Sequence, residues 1–250
     1  MELLRGEPAA RHVCLLFRKR HAAGKWSPAA RRLRSFALHA PRGIRLAAVE
    51  NGCKRSQTVS IEEEIAMANM LDNCKVAILA MDGFEEVELT EPRRALKEAG
   101  AQVDVISQKS GEIQGFRHVD KGSKIKVDRT FGSAKADDYD AVVLPGGVVN
   151  SDAIRLIPEA QAFVRAANDA HKTIVVICHG GWLPVSAGIV KGHTMTSWPS
   201  LQDDIRNAGG KWVDKTMVHD GNFITSRKPD DLPAFNAEII STLSAAAGTA

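Results

Sequence analysis

Four short apolar runs, each followed by a turn signal, limit what this chain can fold into more than any other feature of its sequence. Runs of this length and composition are typical of strands buried inside a sheet. Between the first two runs, residues 86–99 have the pattern of a helix, with acids in the first turn and Gly100 directly after the end. The four runs are KVAILAM at 75–81, QVDVIS at 102–107, DAVVL at 140–144 and TIVVI at 173–177.

The order of these elements predicts an α/β fold. A strand, a helix and a second strand form a β-α-β unit, in which a right-handed crossover joins parallel strands. Residues 111–128 alternate polar and apolar side chains and predict a small antiparallel excursion, and Asp220-Gly221 joins a late hairpin. We therefore expect a single doubly wound, flavodoxin-like, mostly parallel sheet with helices on both faces. Further helices are predicted at 158–170, from about 182, at 201–208 and at 233–244.

The N-terminal quarter differs from the rest of the chain in charge. Residues 1–66 carry thirteen Lys/Arg and six Asp/Glu, a charge of +7, whereas residues 67–250 carry twenty and twenty-four, a charge of −4. The basic isoelectric point therefore comes from the N-terminal quarter and gives no reason to expect that the folded part requires nucleic acid. We expect a basic extension over 1–72, disordered or without a fold of its own, and a folded domain over 73–250.

Three origins of this extension stay open. It could be an Arg-rich transit peptide, a basic tail that binds nucleic acid or an anionic surface, or an upstream start assigned in error, with Met67 or Met70 as the true initiator. We favour the last, because organised sequence begins abruptly at Lys75.

The cysteines and the apolar content exclude several classes of protein. Cys14, Cys53, Cys74 and Cys178 form no C-x-x-C pair, so neither a disulfide framework nor a zinc ribbon is expected. The sequence contains no run of eighteen apolar residues, so no membrane span is predicted. No G-x-G-x-x-G follows the first strand, which argues against a flavodoxin-like cofactor binder. We expect no cofactor, no metal and a cytoplasmic protein, organellar only if the extension is a transit peptide.

The strongest chemical signal follows the fourth apolar run. In an open parallel sheet, ligands bind beyond the carboxyl ends of the strands, and Cys178-His179-Gly180-Gly181 lies there. A cysteine in a tight strand-to-helix turn with two glycines has the mechanics of a nucleophile elbow. The N-terminus of the following helix would lower the thiol pKa and offer N–H groups to an oxyanion. The competing interpretation is a buried core cysteine.

Two further groups of residues accompany the cysteine. His179 either shares the pocket of Cys178 or caps local backbone. Glu85, Glu86 and Glu88 follow the first strand and either form a solvated helix start or turn one carboxyl inward. A carboxyl beside the sulfur would stay protonated and donate to it, because two like charges cannot both ionise cheaply. The pattern alone does not choose among the three acids.

These motifs resemble the PfpI-type intracellular cysteine peptidase and deglycase family, in the superfamily of the parkinsonism-associated deglycase. The resemblance covers about residues 73–245 and implies a class I glutamine amidotransferase-like domain. The segments that carry it are KVAILAMDGFEEVELTEPRRALKEAG, DDYDAVVLPGGVVNSDAIRL, ICHGGWLPVSAGIVKGHTMTSWPSLQDDIRNAGGKWVD and DGNFITSRKPDDLPAF.

The resemblance implies a role for each matching position. Cys178 is the nucleophile, His179 its partner, and Glu88 the acid that hydrogen-bonds the sulfur. Asp152 matches an acid that enters from a neighbouring subunit, which implies a homo-oligomer: a dimer, trimer or hexamer. The oxyanion and pocket positions are Gly146, Gly147, Gly180, Trp182 and Glu85, with the backbone N–H groups of Gly147 and His179 as the donor pair.

Two positions depart from the family pattern. Relatives often have proline where this chain has Gly181, and Asp152 is one methylene shorter than the glutamate of some members. The second change puts a direct contact across a subunit interface in doubt.

The resemblance implies three functions that share Cys178. The favoured one is a stress-response hydrolase of small reactive carbonyls and their adducts, with glyoxalase III-like and deglycase activity on methylglyoxal or glyoxal. The alternative enzyme is a peptidase for short peptides. The non-enzymatic alternative is a cysteine redox sensor or chaperone.

Overall fold

A computed structural model describes residues 70–247. The predictions for residues 1–69, including the three origins of the extension, lie outside the described residues. Within 70–247, no helix is both long and apolar enough to cross a bilayer.

A seven-stranded sheet lies at the centre of the described residues. Its strand order is β11-β12-β8-β7-β1-β3-β6, and every neighbouring pair is parallel except β11 with β12. The mostly parallel sheet predicted from the sequence is confirmed. The strands are β1 Lys75–Leu79, β2 Phe84–Glu85, β3 Gln102–Ser107, β4 Gly111–Arg117, β5 Asp120–Val127, β6 Arg129–Thr130, β7 Ala141–Leu144, β8 Thr173–Ile177, β9 Thr194–Met195, β10 Lys211–Trp212, β11 Met217–Asp220 and β12 Phe223–Ser226.

Helices cover both faces of this sheet. The α-helices are α1 Glu86–Glu98, α2 Val148–Ile154, α3 Pro158–Asp169, α4 Trp182–Ala187, α5 Gln202–Asn207 and α6 Leu232–Ala247. Short 3-10 turns lie at Ala136–Asp138, Cys178–Gly181, Pro199–Leu201 and Pro229–Asp231. Alternate residues of β1 enter opposite cores: Ile78 packs with α1 and α6, and Leu79 packs with α3 and α4. The period of two along a strand produces this division.

Several predicted elements differ at their ends, among them the first strand, the third strand and the first helix. The first strand stops at Leu79 rather than at residue 81, because the amide of Met81 leaves the ladder and donates to Asn150 Oδ1 at 2.7 Å. The third predicted strand begins at Ala141, since the Asp140 carboxylate accepts from the amide of Lys75 at 2.8 Å. Helix α1 ends at Glu98, one residue before the prediction, ahead of Gly100.

The antiparallel excursion is present as β4 and β5, and it pairs with a strand that the pattern did not predict. The two residues of β2 lie parallel to β4, with Phe84 opposite Gly115. This small sheet brings the β4–β5 hairpin beside the start of α1.

The strand order brings the predicted chemical segments together. In the sheet, β7 lies between β1 and β8, and all three run parallel. Their carboxyl ends therefore meet at one edge, which gathers residues 83–88, 145–147 and 178–181.

Candidate active site

Cys178 occupies a strained turn between β8 and α4. Its φ is +59°, a left-handed conformation that few residues other than glycine adopt. The turn packs tightly against β7, since a Cβ added to Gly180 would lie 2.3 Å from the Leu144 carbonyl oxygen. The elbow geometry expected from the sequence is therefore present, and Gly180 permits its close packing.

Glu88 is the acid that faces the sulfur. It is fully buried on α1, its Oε2 accepts the Gly146 amide at 2.9 Å, and its carboxyl interacts with the Cys178 thiol. Oε1 is buried and has no hydrogen-bond partner among residues 70–247. Glu86 instead binds Arg117 at 3.0 Å, away from the cysteine. The structure thus distinguishes acids that the sequence pattern could not.

Burial sets the protonation of this pair. It raises the pKa of Glu88 from 4.5 to about 8, against the opposing hydrogen bond from Gly146, so the carboxyl is neutral at pH 7. Burial also raises the pKa of the Cys178 thiol, and the charge of Glu88 adds to the effect. The backbone N–H groups of His179 and Gly147 lower it in part. Two negative charges are therefore disfavoured here, and the pair retains a proton.

The predicted lowering of the thiol pKa is wrong in direction. That prediction relied on the dipole of the following helix, but α4 has six residues and the thiol is only 7% exposed. Desolvation of a charged sulfur outweighs the dipole of so short a helix.

His179 shares the pocket of Cys178. Its Nδ1 lies 3.2 Å from Sγ, and the ring is stacked on Trp198 at 5.8 Å and meets the edge of Trp182 at 5.3 Å. Burial lowers the pKa of His179, so the imidazole is neutral at pH 7 and able to accept the thiol proton.

Two glycines after β7 bring the backbone against the reacting groups. A Cβ on Gly146 would lie 2.5 Å from Glu88 Oε2 and 2.8 Å from Cys178 Cβ. Gly147 has a φ of +85°, and its Cβ would lie 2.3 Å from the Gly83 carbonyl oxygen. Only glycine fits at either position. Because the Gly147 and His179 amides both act on the sulfur, they are placed to donate to an oxyanion formed there.

A cavity of about 530 Å³ opens above the sulfur. Its wall is mostly apolar, and the Glu85 carboxylate in that wall accepts from the His118 amide at 3.1 Å. The lining residues are Gly83, Glu85, Glu88, Phe116, His118, Val119, Gly147, Val148, Val149, Cys178, His179, Trp198 and Pro229.

Trp182 does not line this cavity, contrary to the expectation from the sequence. Its indole N–H donates to Asp204 at 2.9 Å, and the Arg155 guanidinium lies 5.3 Å from the ring centre. The tryptophan that lines the cavity is Trp198, which sequence reasoning missed. No signal in the Ser-Trp-Pro-Ser segment marks it, since its place follows from a contact with a turn twenty residues earlier.

Asp152 is not brought to the site by its own chain. It lies exposed on α2, outside the residues that line the cavity. Its action from a neighbouring subunit stays a prediction. Among residues 70–247, no group of three or more His, Cys, Asp or Glu side chains is arranged to hold a metal ion.

Comparison with known proteins agrees with this geometry. The profile of the DJ-1/PfpI family matches residues 74–242. Over 169 residues the chain is 40% identical to "Deglycase PfpI" of Pyrococcus furiosus, an alignment that covers 68% of this chain and 99% of PfpI. It is 36% identical to YraA of Bacillus subtilis, whose name assigns it provisionally to the cysteine proteases, over 68% of this chain and 98% of YraA.

The solved structures show the same fold. Drosophila melanogaster DJ-1beta superimposes with a TM-score of 0.63 at 29% identity, covering 68% of this chain and 90% of that protein. Family profile, relatives and fold agree over the same part of the sequence, and the chain belongs to the DJ-1/PfpI family.

Proposed function

We propose that this protein is a cysteine-dependent hydrolase of small reactive carbonyls and of their early adducts, with Cys178 as the nucleophile. One observation carries the proposal: the sulfur lies at the base of a cavity of about 530 Å³ beside a neutral acid and a neutral base. PfpI of Pyrococcus furiosus, to which this chain is 40% identical, is named a deglycase, and that name supports the same class of chemistry.

The arrangement supports addition of the thiol to an aldehyde. The S–H proton moves to His179 Nδ1, the sulfur bonds to the carbonyl carbon, and neutral Glu88 gives its proton to the carbonyl oxygen. The amides of Gly147 and His179 stabilise the negative charge while it develops on that oxygen. The product is a hemithioacetal on Cys178.

The same groups complete the reaction of methylglyoxal without an external oxidant. The Glu88 carboxylate removes the proton from the carbon bonded to sulfur and returns it to the neighbouring carbon, while the hydroxyl proton of the hemithioacetal passes to the former ketone oxygen. The aldehyde carbon is thereby oxidised to a thioester while the ketone is reduced to an alcohol. Water then hydrolyses the thioester, releasing lactate and restoring the thiol. Glyoxal would give glycolate by the same steps.

The test of this function is lactate formation from methylglyoxal in the absence of glutathione. Contaminating glutathione-dependent enzymes are inactive under this condition. Cys178→Ser should abolish lactate formation. Cys74→Ser is the matched control, because Cys74 is also a buried free thiol but precedes β1, at the opposite end of the parallel strands. Equal lactate from wild type and Cys178→Ser would refute the proposal.

A peptidase is the second candidate, and the contact between His179 Nδ1 and Cys178 Sγ favours it. A cysteine paired with a histidine can attack an amide, and the apolar cavity wall could hold one side chain of a short peptide. Cys178-dependent release of amine from short peptides, without lactate from methylglyoxal, would select this candidate. Aldehydes are attacked far more readily than amides, so carbonyl chemistry demands less of the site.

The redox-sensor alternative is separated by a peroxide experiment. Burial raises the pKa of the Cys178 thiol, and a thiol is less reactive than a thiolate toward peroxide. Sulfinate at Cys178 in mild peroxide, with no turnover of any aldehyde, would support that role. We place the carbonyl hydrolase in the cytoplasm and in the response to carbonyl stress.

A homo-oligomer belongs to the same proposal. Val148 and Val149 on α2 are large apolar side chains, 53% and 55% exposed, at the rim of the cavity and beside Asp152. A second copy that covered this face would bury both valines and bring its own acid to the neighbouring cavity.

A further inference from the structure

We propose that Ser200 is the positioning residue of His179, its hydroxyl oxygen accepting the Nε2–H hydrogen bond while Nδ1 exchanges a proton with Cys178. Ser200 Oγ lies 3.4 Å from Nε2, and Cys178 Sγ lies 3.2 Å from Nδ1. The inference rests on the proposed use of His179 as the base. The hydrogen-bonded series of side chains Cys178, His179 and Ser200 is then formed within one chain.

The segment that carries Ser200 is tied to the elbow. The Trp198 amide donates to the Cys178 carbonyl at 3.3 Å, and the Ser197 hydroxyl donates to the Trp198 carbonyl at 2.9 Å. The Trp212 indole N–H in turn donates to Ser197 Oγ at 3.0 Å. Within residues 70–247, the Ser200 hydroxyl has His179 as its side-chain partner. The segment that contains Ser200 is therefore held beside the ring by contacts that do not use the Ser200 hydroxyl.

Proton transfer strengthens the need for this acceptor. A neutral imidazole that takes the thiol proton at Nδ1 already carries its one N–H at Nε2, and the imidazolium that forms is a stronger donor there. In the described part of the chain, Ser200 Oγ lies within reach of this N–H. No proton passes to the serine, whose oxygen stabilises the imidazolium. A hydroxyl does so less strongly than a carboxylate, which suits a base that must stay neutral at pH 7.

Several charged or titratable groups surround the ring, and a change at Ser200 leaves them all in place. Cys178 and Glu88 lie on the side of Nδ1, and Glu85 and His118 lie across the cavity. Behind Trp182, on the other side of the ring, are the Arg155 guanidinium and the Asp204 carboxylate. A shift in His179 titration on replacing Ser200 is therefore attributable to the hydroxyl.

The direct test is an NMR titration of ¹⁵N-labelled histidine in the full chain without substrate. Ser200→Ala should lower the pKa of His179, because the charged imidazolium loses its acceptor. The acid limb of kcat/KM should move to lower pH, and kcat should fall about fivefold, the value of one ordinary hydrogen bond. KM should stay constant, since Ser200 does not line the cavity. Ser200→Thr keeps the hydroxyl and should restore most of the titration and of kcat.

Gln202→Ala is the matched control, because this side chain lies two residues away and binds Arg206 at 3.1 Å rather than His179. It should change neither the His179 titration nor kcat. An unchanged titration in Ser200→Ala, or a failure of Ser200→Thr to restore it, would overturn the inference. Ser200 is exposed on a short turn, so these variants should fold, and Ser200→Gly repeats the test if Ser200→Ala does not.

This test fails separately from the proposed function. The titration needs no substrate, so it can succeed even if wild type forms no lactate. Cys178-dependent lactate formation can equally hold while Ser200 has no effect. A titration moved by Asp152→Asn and not by Ser200→Ala would assign the Nε2 contact to the neighbouring subunit instead and overturn the inference.

Discussion

The Glu88 carboxyl and the Cys178 thiol compete for a proton in a site that solvent barely reaches. Glu88 is fully buried and Cys178 is 7% exposed, and burial raises the pKa of both groups. The acid therefore stays neutral at pH 7 and can donate to the sulfur or to a substrate oxygen. Among residues 70–247, the Gly146 amide donates to Oε2 of this carboxyl, Oε1 has no hydrogen-bond partner, and the thiol interacts with the group. Ionisation of the Glu88 carboxyl therefore affects both the proposed proton donor and the free energy of unfolding.

Glu88→Gln should change the pH dependence of folding. The folded pKa of about 8 exceeds the ordinary 4.5, so the contribution to the free energy of unfolding is complete below pH 4.5 and is lost as pH rises to about 8. The variant should lose this decline and gain relative stability at pH 8, measured by chemical denaturation at pH 5 and pH 8. Glu86→Gln is the matched control: hydrogen bonding to Arg117 lowers the pKa of Glu86 from 4.5, so its contribution is lost only as pH falls below 4.5, and its slope between pH 5 and pH 8 should equal that of the wild type. Equal pH slopes in wild type and Glu88→Gln would contradict the assignment.

Some of the site was predictable residue by residue and some was not. The elbow Cys178-His179-Gly180-Gly181 is a motif of consecutive residues at a strand end, and such a motif can be recognised from the sequence alone. The raised thiol pKa depends on burial by distant segments, and the contacts of Trp198 and Ser200 with His179 depend on a loop packing against the elbow. No periodicity encodes those contacts.

The elbow is the element on which the site depends. Gly181 is the N-cap of α4 and has a φ of −59°, close to the value that a proline ring imposes. A Cβ added to it would meet the end of the Leu201 side chain at 3.1 Å and Ser197 Cβ at 3.9 Å, both of them side-chain atoms. The position that departs from the family pattern thus already has the backbone of a proline. The neighbouring Gly180 does not tolerate a side chain, because a Cβ there would clash with the Leu144 carbonyl oxygen.

Gly181→Pro should stabilise the fold and keep activity. Proline at a compatible φ restricts the unfolded chain, which is worth about 0.4–1 kcal/mol in the free energy of unfolding. Gly180→Ala, the matched change one residue earlier, should destabilise by more than that, because the clash is with backbone. Urea denaturation of both variants measures the difference. Destabilisation of Gly181→Pro comparable to that of Gly180→Ala would show that the turn does not have this geometry.

The elements were predictable where their pattern was long. Helix α1, strand β8 and the β4–β5 hairpin follow from periodicity and turn chemistry. The two residues of β2 carry too little pattern to identify a strand, and their pairing with β4 depends on the hairpin folding back. That pairing brings Phe116, His118 and Val119 to the cavity wall.

For the whole molecule, the parallel order of β1, β7 and β8 assembles the site from three distant segments. The parallel strands and the α/β fold class could be predicted from the sequence. The order of the strands in the sheet could not, because apolar runs of similar length do not indicate which of them are neighbours. The predicted site residues that do not line the cavity are Gly146, Gly180, Trp182 and Asp152, and of these four only Asp152 is exposed. In the proposed oligomer, a second copy would add its Asp152 to a site whose cysteine, histidine and serine come from one chain.

Subunit complementation tests the action of Asp152 in a neighbouring subunit. Asp152→Asn alone and Cys178→Ser alone should each lose activity, while assemblies formed from both should regain part of it. Such assemblies contain cavities in which an intact Cys178 meets an intact Asp152. Light scattering on the wild type should show an oligomer. A fully active monomer, or no recovery in mixed assemblies, would remove Asp152 from the mechanism.

The measurement that tests the central claim most directly is rapid quenching of the enzyme with methylglyoxal, followed by peptide mass spectrometry. We predict a mass increase of one methylglyoxal on the peptide that contains Cys178, appearing before lactate and decaying as lactate forms. Cys74 and the Cys178→Ser variant should carry no such transient adduct. Lactate formed by wild type without any adduct on Cys178 would contradict the account.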